Sequence, residues 1–324
     1  MSVPILEIKN LKKHFPVRKG LFNKQVATKY VVDGISFKIE NGQTVALVGE
    51  SGCGKSALLR TIIGLDKPTE GSVHFKGQAY DQMKKGDLKE FRSKIQLIFQ
   101  DPLASLFPKF TIAQSLEEPL ILNGMSDAKK REEIIVDTLN QVGLDPEFRF
   151  RYPEQLSGGQ RQRVIIARAL VVQPELILAD EPISALDVSL QAQVLNFLMD
   201  LQESYSLSML FVAHDLAVVR QIADHIMIMY AGKILESAPS SEIYTNAKHP
   251  YTKVLLESAP SISKGIKDMG FNLNLKIGDT PDPASPPAGC LFNTRCTFAD
   301  KECMAIRPES REISPNHFVA CHKI

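Results

Sequence analysis

A chain of 324 residues is long enough for one large domain with a smaller one beside it. Its composition, 44% hydrophobic and 23% charged, is that of an ordinary globular protein, and a net charge of +1 excludes a strongly basic surface, so no nucleic-acid partner is expected. Met1 to Glu7 show no basic region leading into a long apolar run, and no apolar stretch approaches the roughly 20 residues that span a bilayer. A soluble, cytoplasmic chain is therefore expected, with any membrane role coming through partners.

Residues 5–10 alternate in polarity and predict a strand. A polar, basic stretch over 17–29 reads as an insertion before a second strand at 31–39, which ends in a turn at Glu40-Asn41-Gly42. Thr44–Val48 reads as a buried strand, residues 57–63 as a helix, and 71–77 as a short strand between glycines. Another strand, 95–100, ends in Gln100. Residues 111–143 turn helical, with Ile134, Ile135, Thr138, Leu139 and Val142 at helical spacing and Gly143 as the stop. A further helix, Gly159 to Val172, opens at Ser157-Gly158. The continuous apolar runs at 176–179 and 209–213 suit parallel strands covered on both faces, with helices at about 189–204 and 215–223. Composition shifts near residue 236, and 278–289 reads as an extended Pro- and Gly-rich linker. No internal repeat is found. The order predicts an α/β fold: a P-loop core with an inserted α-helical subdomain at about 101–165.

The turn Gly49-Glu50-Ser51-Gly52-Cys53-Gly54-Lys55-Ser56, followed by Ala57, sits between the buried strand and the helix, as a P-loop requires. Its glycines let successive N–H groups turn inward onto phosphate oxygens, and the helix adds its positive end. Lys55 can reach the β- and γ-phosphates and Ser56 can bind the bridging Mg²⁺. A plain glycine-rich turn is the alternative, and agreement at every motif position and both flanks weighs against it. Asp180 and Glu181 end an apolar strand, where Asp180 can hold the Mg²⁺ shell and Glu181 can polarise an attacking water. In Leu156-Ser157-Gly158-Gly159-Gln160 a serine stands at a helix start after which glycines follow, which makes an anion site or a capped helix.

Taken with Gln100, the P-loop, Asp180-Glu181 and His214 in this order, that stretch makes residues 5 to about 240 resemble the ATP-binding cassette (ABC) ATPases. The resemblance implies an ATP- and Mg²⁺-dependent ATPase with an antiparallel β portion at the N-terminus. Glu181, His214 and Gln100 become catalytic, His214 as the switch histidine and Gln100 as the Q-loop residue that shares the Mg²⁺ with Ser56 and Asp180. Ser184-Ala185-Leu186-Asp187 becomes the D-loop. Phe15 stands where the family stacks an aromatic ring on adenine, with Tyr30 second. Leu156 to Gln160 then act on ATP held by another subunit, so closure of a dimer brings fixed donors onto the developing charge.

The segments Asp101–Pro108 and Arg151–Leu156, together with the tail from Pro286 to His322, resemble the oligopeptide, dipeptide and nickel importer branch, and the basic stretch Lys12–Gly20 resembles its second, F-type ATPase. An ATPase domain at 5–258 and a C-terminal domain at 259–324 follow. The implied partners are a homologous ATPase subunit, two integral permease subunits and a substrate-binding protein, at the cytoplasmic face of the membrane. Peptides are the expected cargo, with nickel second; a non-transport soluble ABC ATPase and a bare P-loop kinase are the rival classes. Cys290, Cys296, Cys303 and Cys321 crowd into the last 35 residues, and in a reducing cytosol such a cluster more often means metal than disulfide. Their spacing lacks C-x₂-C knuckles, and the resemblance implies a [4Fe–4S] cluster, with Zn²⁺ as the alternative.

Overall fold

The computed structural model describes residues 3–19, 24–101, 105–184, 186–258 and 280–324. The strands, in chain order, are β1 (Leu6–Lys19), β2 (Lys24–Ile39), β3 (Thr44–Val48), β4 (Glu70–Phe75), β5 (Gln78–Ala79), β6 (Ile95–Ile98), β7 (Leu176–Asp180), β8 (Ser208–Ala213), β9 (His225–Tyr230), β10 (Lys233–Pro239), β11 (Arg311–Ser314) and β12 (His317–Val319). Packing gathers them into two compact units. One comprises Leu6–Lys38, Thr44–Asp81 and Val212–Ile324, and carries the glycine-rich turn; the other comprises Met1–Ile5, Ile39–Gln43 and Gln82–Phe211, and carries Glu181.

In the Gly49 unit, β2, β1, β4 and β5 neighbour one another in that order, with β1 antiparallel to β4 and β4 to β5. Leu6 and Ile8 share a face of the pleat, and they, Leu11, Val32 and Ile35 are buried. The expected insertion at 17–29 is instead strand in its described parts, since β1 runs to Lys19 and β2 starts at Lys24. The two strands are neighbours, so their ladder bonds hold a polar sequence extended where no apolar face demands it; Val17, Val26 and Thr28 suit that backbone. Residues 20–23 lie outside the described residues. The strands that this unit contributes to the second sheet run β11, β12, β10, β9, β3. β3 pairs parallel with β9, Leu47 opposite Met227, and every residue of β3 is buried, as the unbroken apolar run requires. β10 and β12 then add antiparallel, with Glu236 opposite Val319, so the end of the chain extends this sheet.

In the Glu181 unit, β6 pairs parallel with β7 and brings Ile98 opposite Ala179. Helices Ile112–Leu122 and Ala128–Gln141 fill the stretch expected to be helical. Thr111 and Asp127 cap them, and Gly143 takes the left-handed conformation (φ 65°) that ends the second. Arg131 binds Glu117 at 2.8 Å and the carbonyls of Met125 and Ser126, tying one helix to the other. The helix expected at 215–223 shrinks to Leu216–Val219, and the chain after it turns back so that the Val219 carbonyl accepts from the Ile222 and Ala223 N–H groups. Among the described residues no helix is long and apolar enough to cross a membrane.

Candidate functional site

The loop from Gly49 to Gly54 is shaped by close backbone approaches. A Cβ on Gly49 would lie 2.1 Å from the Met229 carbonyl oxygen of β9, and one on Gly54 would lie 2.2 Å from that of Val31. Gly52 and Gly54 take φ of 79° and 111°, which side-chain-bearing residues avoid. Helix Lys55–Ile62 follows with no side-chain cap on its first amides and no acid in its first turn, an electropositive end open to an anion. Lys55 is buried and folds back over the loop, its Nζ donating to the carbonyls of Gly49 at 2.6 Å and Glu50 at 3.1 Å. Ser51 and Ser56 are exposed, and Ala57 is half-buried behind them. Burial pushes the Cys53 thiol above its ordinary range, so this cysteine stays protonated and is not a reactive thiolate.

Glu50 has partners that its neighbours in sequence do not foreshadow. Its N–H donates to the Tyr251 hydroxyl at 3.1 Å, and both of its carboxylate oxygens accept from one guanidinium nitrogen of Arg295, Nη1, at 2.8 and 3.0 Å. These contacts join residues more than 200 positions apart, and no spacing rule could have found them.

The two aromatic candidates differ in their surroundings. Phe15 is exposed beneath the Lys13 ammonium, 4.8 Å from the ring centre. Tyr30 is also exposed, meets His14 edge-on at 4.6 Å, and immediately precedes the Val31 carbonyl that packs on Gly54. His214, at the end of β8, is exposed and precedes Asp215, which caps the short helix Leu216–Val219.

In the Glu181 unit, the β6–β7 register carries Gln100 and Glu181 to corresponding positions beyond their strand ends. The Gln100 Nε2 donates to Glu181 Oε2 at 3.2 Å. Asp180 is buried at the end of β7, while Glu181 takes φ 45°, a strained backbone of the kind held where a side chain must be aimed. The Ser184 N–H and hydroxyl both donate to the Glu181 carbonyl, and Asp187 caps helix Val188–Tyr205 through the Leu190 N–H. Ala185 lies outside the described residues, as do residues 102–104. Ser157 and Gln160 form a capping box: Ser157 Oγ accepts from the Gln160 N–H at 3.3 Å and Gln160 Oε1 from the Ser157 N–H at 3.0 Å. Leu156 is buried beneath, and a Cβ on Gly158 or Gly159 would meet Leu186 at 3.8 Å or Leu190 at 3.0 Å. The fold thus sets the Leu156–Gln160 stretch against the Ser184–Asp187 loop and the helix behind it. The same unit has an open groove of about 550 Å³ lined by Leu106, Phe107, Pro108, Phe110, Glu118 and Arg168.

The four C-terminal cysteines form no disulfide and line one small pocket with His322. Burial pushes Cys290 up to about 11 and raises Cys321 as well, so both are neutral thiols at neutral pH. Among the described residues, however, no group of three or more His, Cys, Asp or Glu side chains is arranged to hold a metal ion. The expected iron–sulfur ligand set is brought together without being in ligating geometry.

A glycine-rich turn between a buried parallel strand and an uncapped helix, with an acidic pair at the end of another parallel strand, defines a P-loop nucleoside-triphosphatase. The family model described as ABC transporter matches residues 32–184, and that described as oligopeptide/dipeptide transporter, C-terminal region, matches residues 235–303. The oligopeptide transport ATP-binding protein AppF of Bacillus subtilis (strain 168) is 49% identical over 319 residues, 98% of this chain and 97% of that protein. The dipeptide transport ATP-binding protein DppF of Haemophilus influenzae is 45% identical over 323 residues, covering 100% and 98%. Among solved structures, the dimeric post-hydrolysis ATP-binding cassette MJ0796 bound to ADP and phosphate aligns with TM-score 0.64 at 32% identity, over 72% of this chain and 98% of that one. The chain belongs to the ABC transporter ATP-binding proteins, in their oligopeptide/dipeptide branch, and is an ATPase.

Proposed function

We propose that this chain is the ATP-hydrolysing motor of an importer of oligopeptides or dipeptides. It works at the cytoplasmic face of the membrane with a homologous ATPase chain, two integral permease subunits and a substrate-binding protein. The names of its full-length relatives support the peptide cargo. In this reading residues 5–258 are the ATPase domain, with a helical subdomain at about 101–165, and 259–324 are a Cys-rich C-terminal domain. The groove at Phe107 and Phe110, with its exposed aromatic pair, supports a protein partner on the Glu181 unit.

The observation that carries the catalytic reading is the Gln100–Glu181 hydrogen bond beyond β6 and β7. It aims a strained carboxylate that directly follows the buried Asp180. The loop amides from Gly49 to Lys55 cradle the phosphates, and the Lys55 ammonium neutralises the β- and γ-groups. Ser56, Gln100 and Asp180 are the residues that would hold Mg²⁺, which would supply charge compensation for the transferring phosphoryl group. Glu181 takes the proton of the attacking water, and His214 senses the γ-phosphate. Tyr30 is better supported than Phe15 as the ring that stacks on the base, because the chain at Tyr30-Val31 packs on Gly54 of the phosphate loop.

Ser157, which caps its helix in cis, acts in trans on the partner's ATP. A heterodimer carrying Ser157→Ala in this chain alone is expected to lose most hydrolysis at the partner's phosphate loop, while the site on this chain's own loop keeps turning over. Site-specific trapping of ADP reads the two separately. Loss at the mutated chain's own loop alone would overturn the trans assignment.

A second reading concerns Cys290, Cys296, Cys303 and Cys321. Four thiols line one pocket but are not arranged to hold a metal as they stand, so a [4Fe–4S] cluster, or Zn²⁺ as the alternative, would have to draw them together. Loading would require the thiols to give up protons, and the group would staple a small segment with little core of its own. Anaerobically purified protein is expected to be brown, with absorption near ~400 nm that disappears in Cys290→Ser/Cys303→Ser protein. Colourless protein with one zinc per chain would replace iron–sulfur by zinc, and metal-free protein would remove both.

A further inference from the structure

The C-terminal segment touches the nucleotide-binding elements of its own unit at two separate places. The Tyr30 N–H donates to the Pro283 carbonyl at 2.9 Å, beside the aromatic ring assigned to the base. Arg295 donates from Nη1 to both carboxylate oxygens of Glu50, the second residue of the phosphate loop. Arg295 is not a loose surface arginine. Its side chain is 13% exposed and its guanidinium lies 5.9 Å from the ring centre of Tyr230 and 5.8 Å from that of Phe292. Tyr230, Tyr251 and Phe292 pack on one another at 4.7 to 5.4 Å, and all three are buried. Tyr251, from the helix Pro250–Ser258, also accepts the Glu50 N–H. The backbone and the carboxylate of Glu50 are therefore both clamped by residues beyond position 250.

The electrostatics give this clamp a purpose. A carboxylate in a loop built to receive a polyanion opposes that ligand unless it is neutralised. A guanidinium whose Nη1 bridges both carboxylate oxygens does so with charge-assisted hydrogen bonds. We infer that Arg295 is a positioning residue for the phosphate loop, neutralising Glu50 and pinning the loop from the C-terminal segment, so that this segment sets nucleotide affinity. The inference rests on the reading of Gly49–Ser56 as the phosphate site.

Full-length protein with Arg295→Ala is expected to bind ATP and ADP about tenfold more weakly, the scale of a lost charge-assisted pair. KM for ATP should rise in parallel while kcat of the assembled transporter stays within about twofold, since the Glu181 machinery is untouched. Arg295→Lys should fall between, keeping the charge but not the planar guanidinium beside the Tyr230 and Phe292 rings. Adding Glu50→Gln to Arg295→Ala should recover most of the affinity by removing the uncompensated carboxylate, a rescue that a merely structural role for Arg295 would not give. Should Arg295→Ala prove insoluble, Arg295→Gln with and without Glu50→Gln makes the same comparison. Unchanged affinity in the single variant, or no recovery in the double, overturns the inference. If the unmodified chain binds no ATP while remaining folded, the phosphate-site reading itself fails.

Discussion

Glu181→Gln is expected to leave ATP binding intact and to cut steady-state hydrolysis by on the order of 10²–10⁴-fold, the usual loss when a positioned base is removed. The substitution is informative because so little else should change. The amide oxygen of glutamine can accept the same hydrogen bond from Gln100 Nε2 that the carboxylate accepts now. The Glu181 carbonyl, which accepts from the Ser184 N–H and hydroxyl, is backbone and survives the change. Asp180 keeps its buried place at the end of β7. What disappears is the ability to take a proton. Phosphate release by the assembled transporter, measured with the nucleotide content of the purified protein, separates binding from turnover. The variant should accumulate with ATP bound. Turnover near that of the unmodified protein would remove Glu181 from the role of base.

Gly49→Ala should disable the phosphate loop by a different route. The added methyl would sit 2.1 Å from the Met229 carbonyl oxygen, and Met229 belongs to β9, which is locked parallel to β3. Neither backbone can move without breaking strand pairing, so the loop must leave its place. Overpacking of this kind typically costs about 1–3 kcal/mol, and ATP affinity should fall with it. Gly52→Ala is the contrast. A Cβ there meets nothing within 4 Å, and only its φ of 79° opposes the change. Its cost should stay near the ~1–2 kcal/mol of a side-chain-bearing residue in left-handed geometry. Thermal unfolding and ATP titration of the two variants should rank Gly49→Ala as the more damaged in both. Equal tolerance would mean that β9 does not constrain the loop.

The elements of the proposed phosphate site were legible because their signals are short-range. The strand Thr44–Val48, the loop after it and the helix from Lys55 depend on a buried apolar run, on glycine's freedom at positive φ and on the unsatisfied amides of a helix start. Each of these is settled by residues a few positions apart. The same holds for the capping box of Ser157 and Gln160 and for the Gly143 helix stop. At 17–29 polarity marked an insertion without indicating its conformation: β1 and β2 keep its described polar residues extended by pairing with each other.

By itself, then, the sequence determined the local chemistry: which backbone turns can face a phosphate, which strands are buried, and which acids stand at a strand end. The tertiary structure alone decided who meets across long separations. It put Arg295 and Tyr251 on Glu50, and the Tyr30-Val31 backbone against Pro283 and Gly54. It also set His317 on the buried Glu236 at 2.8 Å and gathered four cysteines around one pocket. The reason is that such contacts are fixed by strand order and register. β12 reaches Glu236 only because it adds to the edge of β10, and nothing in the residues near Glu236 says which distant segment will arrive there.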